Sequence, residues 1–162
     1  MTQIKPHISK FAFVEHTISK LNVTNGIHTF QEPELNSNKL ELDYQILSVN
    51  HTGNQYNGHL EISVKANVKN SLKQNFKIHL VMNGYFIASS PEDIDENRNK
   101  FIDKLYINGT STLYSIARSV VIDISAKSMA SGQVRLPLIN IFELHKTRMA
   151  TAKAQEEREE TE

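Results

Sequence analysis

Strict alternation of apolar and polar residues is the feature that most limits what this chain can fold into. In residues 55–69 the apolar positions are Leu60, Ile62, Val64, Ala66 and Val68, with polar residues between them. The same period of two recurs in residues 39–50 and 74–88. This is the period of a β-strand that buries one face and exposes the other. We therefore predict three strands that share one apolar face.

The connectors between these segments favour hairpins. Residues 51–54 and 70–73 are short and rich in turn-forming residues, whereas parallel neighbours need a crossover of about a dozen residues or more. Weaker alternation predicts one more strand at 11–23. Residues 25–37 lack any period and are expected to form a long connection. The sequence thus predicts a four-stranded antiparallel β-meander.

A helix follows the predicted sheet, because apolar residues recur at spacings of three and four after residue 113. One stripe consists of Leu113, Ile116, Ala117, Val120, Val121 and Ile124. A second apolar set contains Ile122, Ala126 and Met129. The positions that clearly favour solvent are Arg118, Ser119, Ser125 and Lys127.

A helix that is apolar on two sides needs two packing partners. One can be the chain's own sheet and the other a second copy of the protein, which would make a homo-oligomer. A helix fully buried within a monomer fits the periodicity equally well. In the first case the candidate oligomer-interface residues are Leu113, Ile116, Val120, Ile122, Ile124 and Met129.

Size and charge exclude several classes of function. The 162 residues suggest one domain, and the 18 basic and 18 acidic residues cancel. This balance argues against nucleic acid and anionic membranes as partners. The chain has no cysteine, no signal-type start and no apolar run of membrane-spanning length. We expect a cytoplasmic protein with a domain at 1–145 and a charged tail at 146–162 that is helix-prone or disordered.

Candidate metal and catalytic motifs are weak. Asp93, Asp95 and Asn97 fit the start of a calcium loop, but Arg98 and Lys104 occupy positions that need Gly and Glu. The seven histidines never pair at the spacing of helical metal ligands. There is no glycine-rich phosphate loop and no nucleophile motif. We predict no catalytic residue, no metal site and no cofactor, and hence no enzyme.

Three segments stand out in the chain: MNGYFIAS at 82–89, INGTSTLYSIARS at 107–119 and VRLPLINIFEL at 134–144. Together they resemble the SecB family of export chaperones. MNGYFIAS at 82–89 is similar to the family's strand end with glycine and phenylalanine. INGTSTLYSIARS at 107–119 is similar to its helix opening, and VRLPLINIFEL at 134–144 to its Pro-containing tail, with Asn140 in place. The likeness extends from about residue 11 to residue 144 and becomes specific through the order of these segments.

The resemblance implies an α+β fold in which the four-stranded antiparallel β-meander is followed by a long α-helix and a short C-terminal helix. It also implies a dimer of dimers that acts as an ATP-independent holdase, binding unfolded polypeptide in apolar grooves. The client-binding residues that it implies are Ile27, Phe30, Leu35, Leu42, Tyr85, Phe86, Leu136, Leu138, Ile141, Phe142 and Leu144.

Departures from the family pattern affect the expected client. Export members of the family dock the SecA motor through carboxylates on the outer sheet face, where this chain has Lys20 or Asn22 and His79 with Lys77. SecA is therefore a doubtful partner. The neutral chain looks more like the SecB-like chaperones of toxin–antitoxin modules, so we expect an antitoxin client ahead of preproteins. The alternatives are a general export chaperone and an oligomeric structural adaptor without unfolded clients.

Overall fold

A computed structural model describes residues 11–28, 34–36, 39–129 and 132–159, and for residues 34–36, 153 and 155–159 it describes the backbone only. The main sheet contains β1 (Phe11–Asn25), β3 (Lys39–Thr52), β4 (Gln55–Lys69) and β5 (Asn75–Ser89). All three strand pairings are antiparallel. The predicted four-stranded antiparallel sheet is confirmed.

The position of the first strand differs from a simple meander. β3, β4 and β5 follow one another through hairpins, but β1 lies beside β5, so the order is β1-β5-β4-β3. The physical reason is the long connection after β1, which lets the chain cross to the far edge. There β1 faces an apolar strand, with Ile18 opposite Met82 and Val23 opposite Ile78. The result is a Greek-key arrangement.

A small parallel pair lies outside the main sheet. β2 (Glu34–Asn36) pairs with β6 (Gln133–Arg135), and Leu35 is opposite Val134. This pairing brings the connection after β1 against the segment that follows the long helix.

The helices follow the sheet. α1 (Asp95–Lys104), a π-helical turn (Leu105–Gly109) and α2 (Thr110–Ser128) form one continuous helical segment. α3 (Ile141–Glu159) begins after the apolar tail. The predicted long helix and C-terminal helix are confirmed, although α3 is 19 residues long, as long as α2. The predicted tail from residue 146 is thus helical through Glu159.

Glycines allow the helical segment to lie close against the sheet. A Cβ on Gly84 of β5 would lie 2.8 Å from Leu113 Cδ2, and a Cβ on Gly58 of β4 would lie 2.6 Å from Leu105 Cδ1. Both leucines are fully buried. A side chain at either glycine would force these buried leucines to shift within the packed core.

The second side of α2 packs against the chain's own residues 133–137. Tyr114 donates its hydroxyl hydrogen to the Pro137 carbonyl oxygen (2.8 Å). Arg118 Nε donates to the Leu136 carbonyl oxygen (3.1 Å). Ser125 Oγ accepts from the Val134 backbone N–H (2.8 Å) and donates to the Ile122 carbonyl oxygen (3.1 Å).

The prediction that Ser125 and Arg118 face solvent is therefore wrong. Ser125 is fully buried and Arg118 is half-buried. Residues 133–137 make one short strand pairing, with β2. The side chains of Tyr114, Arg118 and Ser125 provide hydrogen-bond partners for further backbone groups of this segment. Burial also raises the pKa of Tyr114 to about 12.

We predict that Ser125→Ala destabilises the protein, because the Val134 N–H would stay buried without an acceptor. The expected loss in free energy of unfolding is about 1–3 kcal/mol, measured by urea denaturation followed by circular dichroism. Ser119→Ala, at an exposed position of the same helix, should change it by less than about 0.5 kcal/mol. Equal effects of the two substitutions would contradict the role of Ser125.

Candidate functional site

The structure separates the predicted client-binding residues by exposure. Ile27, Phe86, Leu136 and Ile141 are buried in the core. Leu42 and Leu144 are half-buried and pack against it. Tyr85 lies on the opposite face of the sheet, where its hydroxyl donates to Asn57 Oδ1 (2.7 Å). Phe30 lies outside the described residues, and of Leu35 only the backbone is described.

Two of the predicted residues are open to solvent. Leu138 is 84% exposed and Phe142 is 55% exposed. Their backbone is held in place on both sides, because Tyr114 bonds the Pro137 carbonyl and Asn140 Oδ1 accepts from the Glu143 N–H (3.2 Å) at the start of α3. This C-terminal ledge, defined by Leu138 and Phe142, presents apolar side chains on a fixed backbone.

A second apolar surface lies on β1, which sequence reasoning did not identify. Phe13, Ile18 and Leu21 are 37%, 43% and 40% exposed. They are paired with Phe86, Met82 and Leu80, which are fully buried, so they lie on the face of the sheet that α2 covers elsewhere. β1 extends beyond the area that the helix covers.

The sequence signal for this surface is interrupted by two irregularities. The pairing of β1 with β5 shifts between Phe13 and Glu15 and between Ile18 and Lys20. Each extra residue changes the face on which the next side chains lie. The apolar residues of β1 therefore do not alternate regularly along the chain, although Phe13, Ile18 and Leu21 lie on one face of the sheet.

One flank of α2 adds to the β1 surface. Ile116 and Val120 lie nearly opposite Arg118 and Ser125 around the helix, and so point away from residues 133–137. α2 also contacts β1. Both are half-buried and pack against the core. We call Phe13, Ile18, Leu21, Ile116 and Val120 the β1–α2 surface.

The two edges of the sheet have different chemistry. At the β3 edge Arg148 of α3 pairs with Asp43 (2.8 Å) and donates to the Tyr44 carbonyl oxygen (3.2 Å), and His145 Nδ1 lies 3.2 Å from the Tyr44 hydroxyl. The β3 edge thus carries charged side chains and is held against α3 by an ion pair and hydrogen bonds. The free edge of β1 makes no strand pairing in the described part of the chain. An unpaired apolar edge strand is a site where another chain can add.

The comparisons with known proteins give a match in structure. No family model matches the chain, and no curated protein matches it in sequence. A SecB-like chaperone from Mycobacterium tuberculosis, solved in complex with a ChAD peptide from the HigA1 antitoxin, superposes with a TM-score of 0.57 at 13% identity, over 80% of this chain and 90% of that one. A Streptococcus agalactiae protein of unknown function matches with a TM-score of 0.46 at 9% identity, over 79% of this chain and 97% of that one.

The fold is SecB-like.

Within this SecB-like fold, the calcium-like motif has a structural role. The Tyr56 hydroxyl donates to Asp93 Oδ1 (2.8 Å), and Asn97 Nδ2 donates to Ser90 Oγ (3.3 Å). These bonds hold the turn that leads into α1. Among the described residues no group of His, Asp and Glu side chains is arranged to hold a metal ion. No helix in the described ranges is both long and apolar enough to span a bilayer.

The outer face of the sheet, opposite α2, is polar. At its centre His79 Nε2 lies 3.2 Å from Ser63 Oγ. Burial lowers the pKa of His79, and the nearby Lys20 and Lys65 ammonium groups lower it further. Both effects favour the neutral imidazole.

We predict that His79 contributes to acid sensitivity. The unfolded chain protonates this histidine near pH 6.5, whereas the folded chain resists protonation, so stability falls as the pH drops below about 6.5. NMR titration should give a pKa for His79 below the usual value, and Lys20→Gln should raise it. Lys127→Gln, on α2, is the control and should leave it unchanged. A His79 pKa at or above the usual value would contradict the prediction.

Proposed function

We propose that this protein is an ATP-independent holdase that binds unfolded or aggregation-prone polypeptide on exposed apolar surface. The observation that carries the proposal is the β1–α2 surface beside an unpaired strand edge, within a SecB-like fold. Scattered apolar residues are normal on protein surfaces, but a shared apolar face along one strand is a typical binding site.

The strength of binding would come from several modest contacts. Burying one exposed Phe, Ile or Leu side chain completely gives about 1.5–3 kcal/mol, and the partly covered side chains of this surface would give less. Useful affinity then requires several contacts along the client. Because apolar burial has no directional requirement, such a surface accepts many sequences. This suits a protein that keeps unfolded chains soluble.

An antitoxin is the client that we propose first. The Mycobacterium tuberculosis neighbour was solved with a peptide from an antitoxin, and this chain has lysines on the outer sheet face where export members of the family use carboxylates to dock SecA. A preprotein client delivered to SecA is the alternative within the same function. In both cases no cofactor and no catalytic residue is needed, and the protein acts in the cytoplasm as a binding protein.

A structural adaptor is the second candidate function, favoured by the unpaired β1 edge. If a second copy adds to this edge, the exposed side chains of β1 become part of a permanent interface. The two functions differ in the apolar area that stays open after assembly. The holdase keeps open surface and the adaptor has none.

Suppression of aggregation tests the proposal directly. Diluted into buffer with a chemically unfolded model protein and no ATP, the wild-type protein should suppress light scattering up to a fixed stoichiometry. The double variant Phe13→Ser with Leu21→Ser should suppress it several-fold less, because two contacts are lost. The control variant Leu47→Ser with Leu72→Ser changes exposed leucines outside the β1–α2 surface and should behave like the wild type.

Absence of suppression by a folded wild-type protein would overturn the holdase and leave the adaptor. Equal suppression by both double variants would leave the holdase but remove the β1–α2 surface as its site. Each variant is compared with the wild type by size-exclusion chromatography, so that a change in assembly is distinguished from a lost contact.

A homotetramer, formed as a dimer of dimers, is the assembly that we propose. Of the six helix residues expected at the interface, Leu113 and Met129 are buried within the protomer, whereas Ile116, Val120, Ile122 and Ile124 are half-buried. Ile116 and Val120 belong to the β1–α2 surface, so Ile122 and Ile124 are the residues that remain available for contact with a second copy in a holdase.

We predict that Ile122→Glu splits the assembly into smaller units without unfolding the sheet, since a charge in an apolar contact is costly. The measurement is molar mass by light scattering, together with circular dichroism. Ser119→Glu, at an exposed position one turn away, should keep the wild-type mass. Outright unfolding of Ile122→Glu at all concentrations would show that Ile122 belongs to the protomer core.

A further inference from the structure

The outer face of the sheet carries a cluster of lysines that the proposed chaperone surface does not use. Three neighbouring rows of paired residues cross the sheet. The first row is Lys39, Asn67, Lys77 and Thr24, the second Glu41, Lys65, His79 and Asn22, and the third Asp43, Ser63, Val81 and Lys20. Lys69 lies two residues beyond Asn67 on the same face of β4. We call Lys20, Lys39, Lys65, Lys69 and Lys77 the basic patch.

Few carboxylates offset this charge. Glu41 lies 2.9 Å from Lys39 Nζ and 3.9 Å from Lys65 Nζ, so one carboxylate serves two ammonium groups. Asp43 pairs with Arg148 of α3 instead. Lys20, Lys69 and Lys77 make no ion pair with any residue in the described ranges.

The geometry of the patch is that of a shallow basin. A cavity of about 340 Å³ is lined by residues of all four strands, including Asn22, Lys39, Glu41, Lys65 and Lys77, and Lys20 and Lys69 of the patch lie outside this lining. The Asn22 side-chain amide adds a hydrogen-bond donor to the lining of this cavity. Burial is the main reason that the pKa of His79 is lowered, and the Lys20 and Lys65 ammonium groups lower it further.

We propose that the basic patch is a docking site for an acidic segment of a partner polypeptide. Glutamate and aspartate side chains would lie between the ammonium groups of Lys20, Lys65 and Lys77. The four strands are about 4.8 Å apart, so the patch is about 14 Å wide. This width matches a short extended or helical segment with several carboxylates.

A polypeptide fits this surface better than nucleic acid. The cations of the three rows are all lysines, and Arg148, which lies beside the third row, is already paired with Asp43. A planar guanidinium that could bind a phosphate bidentately is therefore not offered by these rows. No Phe, Tyr or Trp ring lies in these rows for bases to stack on. The whole chain is also neutral, whereas nucleic-acid binders are typically basic overall.

The proposal is independent of the proposed holdase. The basic patch lies on the opposite face of the sheet from α2 and shares no residue with the β1–α2 surface. If the basic patch binds no acidic segment, the protein can still be a holdase. If the protein binds no unfolded client, the basic patch can still be a docking site. Fluorescence anisotropy with a short acidic peptide therefore tests the patch alone.

The probe is a fluorescein-labelled peptide in which Glu and Ser alternate, with a peptide of Gln and Ser as its uncharged counterpart. The full-length protein should bind the Glu peptide and not the Gln peptide, and affinity should fall about tenfold between low and high salt. Lys20→Glu with Lys77→Glu should weaken binding about tenfold or more, since two attractive contacts become repulsive. Lys104→Glu with Lys146→Glu is the matched control, because it makes the same change in net charge at exposed positions on α1 and α3.

Four outcomes would overturn the proposal. The first is that the wild-type protein fails to bind the Glu peptide. The second is that both double variants bind it equally well. The third is that single-stranded oligothymidylate of similar length binds the wild-type protein more tightly than the Glu peptide does, and binds the variant Lys20→Glu with Lys77→Glu more weakly. That result would assign the patch to nucleic acid. The fourth is that the Glu peptide binds only after Glu156, Glu157, Glu159, Glu160 and Glu162 are replaced by Gln. That result would make the chain's own acidic end the occupant of the basic patch.

Discussion

The packing of α2 between the sheet and residues 133–137 determines most of what this protein can do. On one side the helix lies close to the sheet because Gly84 and Gly58 leave room for buried leucines. On the other side Tyr114, Arg118 and Ser125 bond backbone groups of the segment that follows the helix. Both sides of an apolar helix are thereby largely covered within one chain, whereas Ile116, Val120, Ile122 and Ile124 stay half-buried. The C-terminal ledge depends on the same contacts, since the Tyr114 hydroxyl holds the backbone beside Leu138.

The limited width of that packing produces the candidate binding surface. α2 covers the apolar faces of β4 and β5, and the same face of β1 extends beyond it with Phe13, Ile18 and Leu21 exposed. The opposite edge of the sheet is fastened to α3 through Arg148 and Asp43. The protein thus has one apolar edge that is open and one polar edge that is covered. We propose the open edge for unfolded clients and the outer face for an acidic partner, and the two surfaces lie on opposite sides of the sheet.

Much of the fold was predictable, because the patterns that encode it are local. Leu60 through Val68 alternate without interruption, the hairpins are short, and Leu113, Ala117 and Val121 follow a helical period. The place of β1 was not predictable from such patterns. Its neighbour is chosen after a long connection, by apolar pairing with β5 rather than by proximity in the chain. The two register shifts in β1 also break the alternation that would have revealed its exposed side chains. Among the predicted client-binding residues, Leu138 and Phe142 are exposed, whereas Phe86 and Leu136 lie in the core. The spacing of apolar residues along the chain does not distinguish the exposed positions from the buried ones.

The sequence by itself determined the α+β class, the three hairpin-linked strands, the long helix and the neutral charge. These follow from alternation, spacing and composition, which act over a few neighbouring residues. The tertiary structure alone decided that β1 pairs with β5, that Ser125 is buried while Leu21 is exposed, and that lysines from four strands form one patch. Each of these depends on which distant segment a residue meets, because burial and local charge are set by neighbours in space.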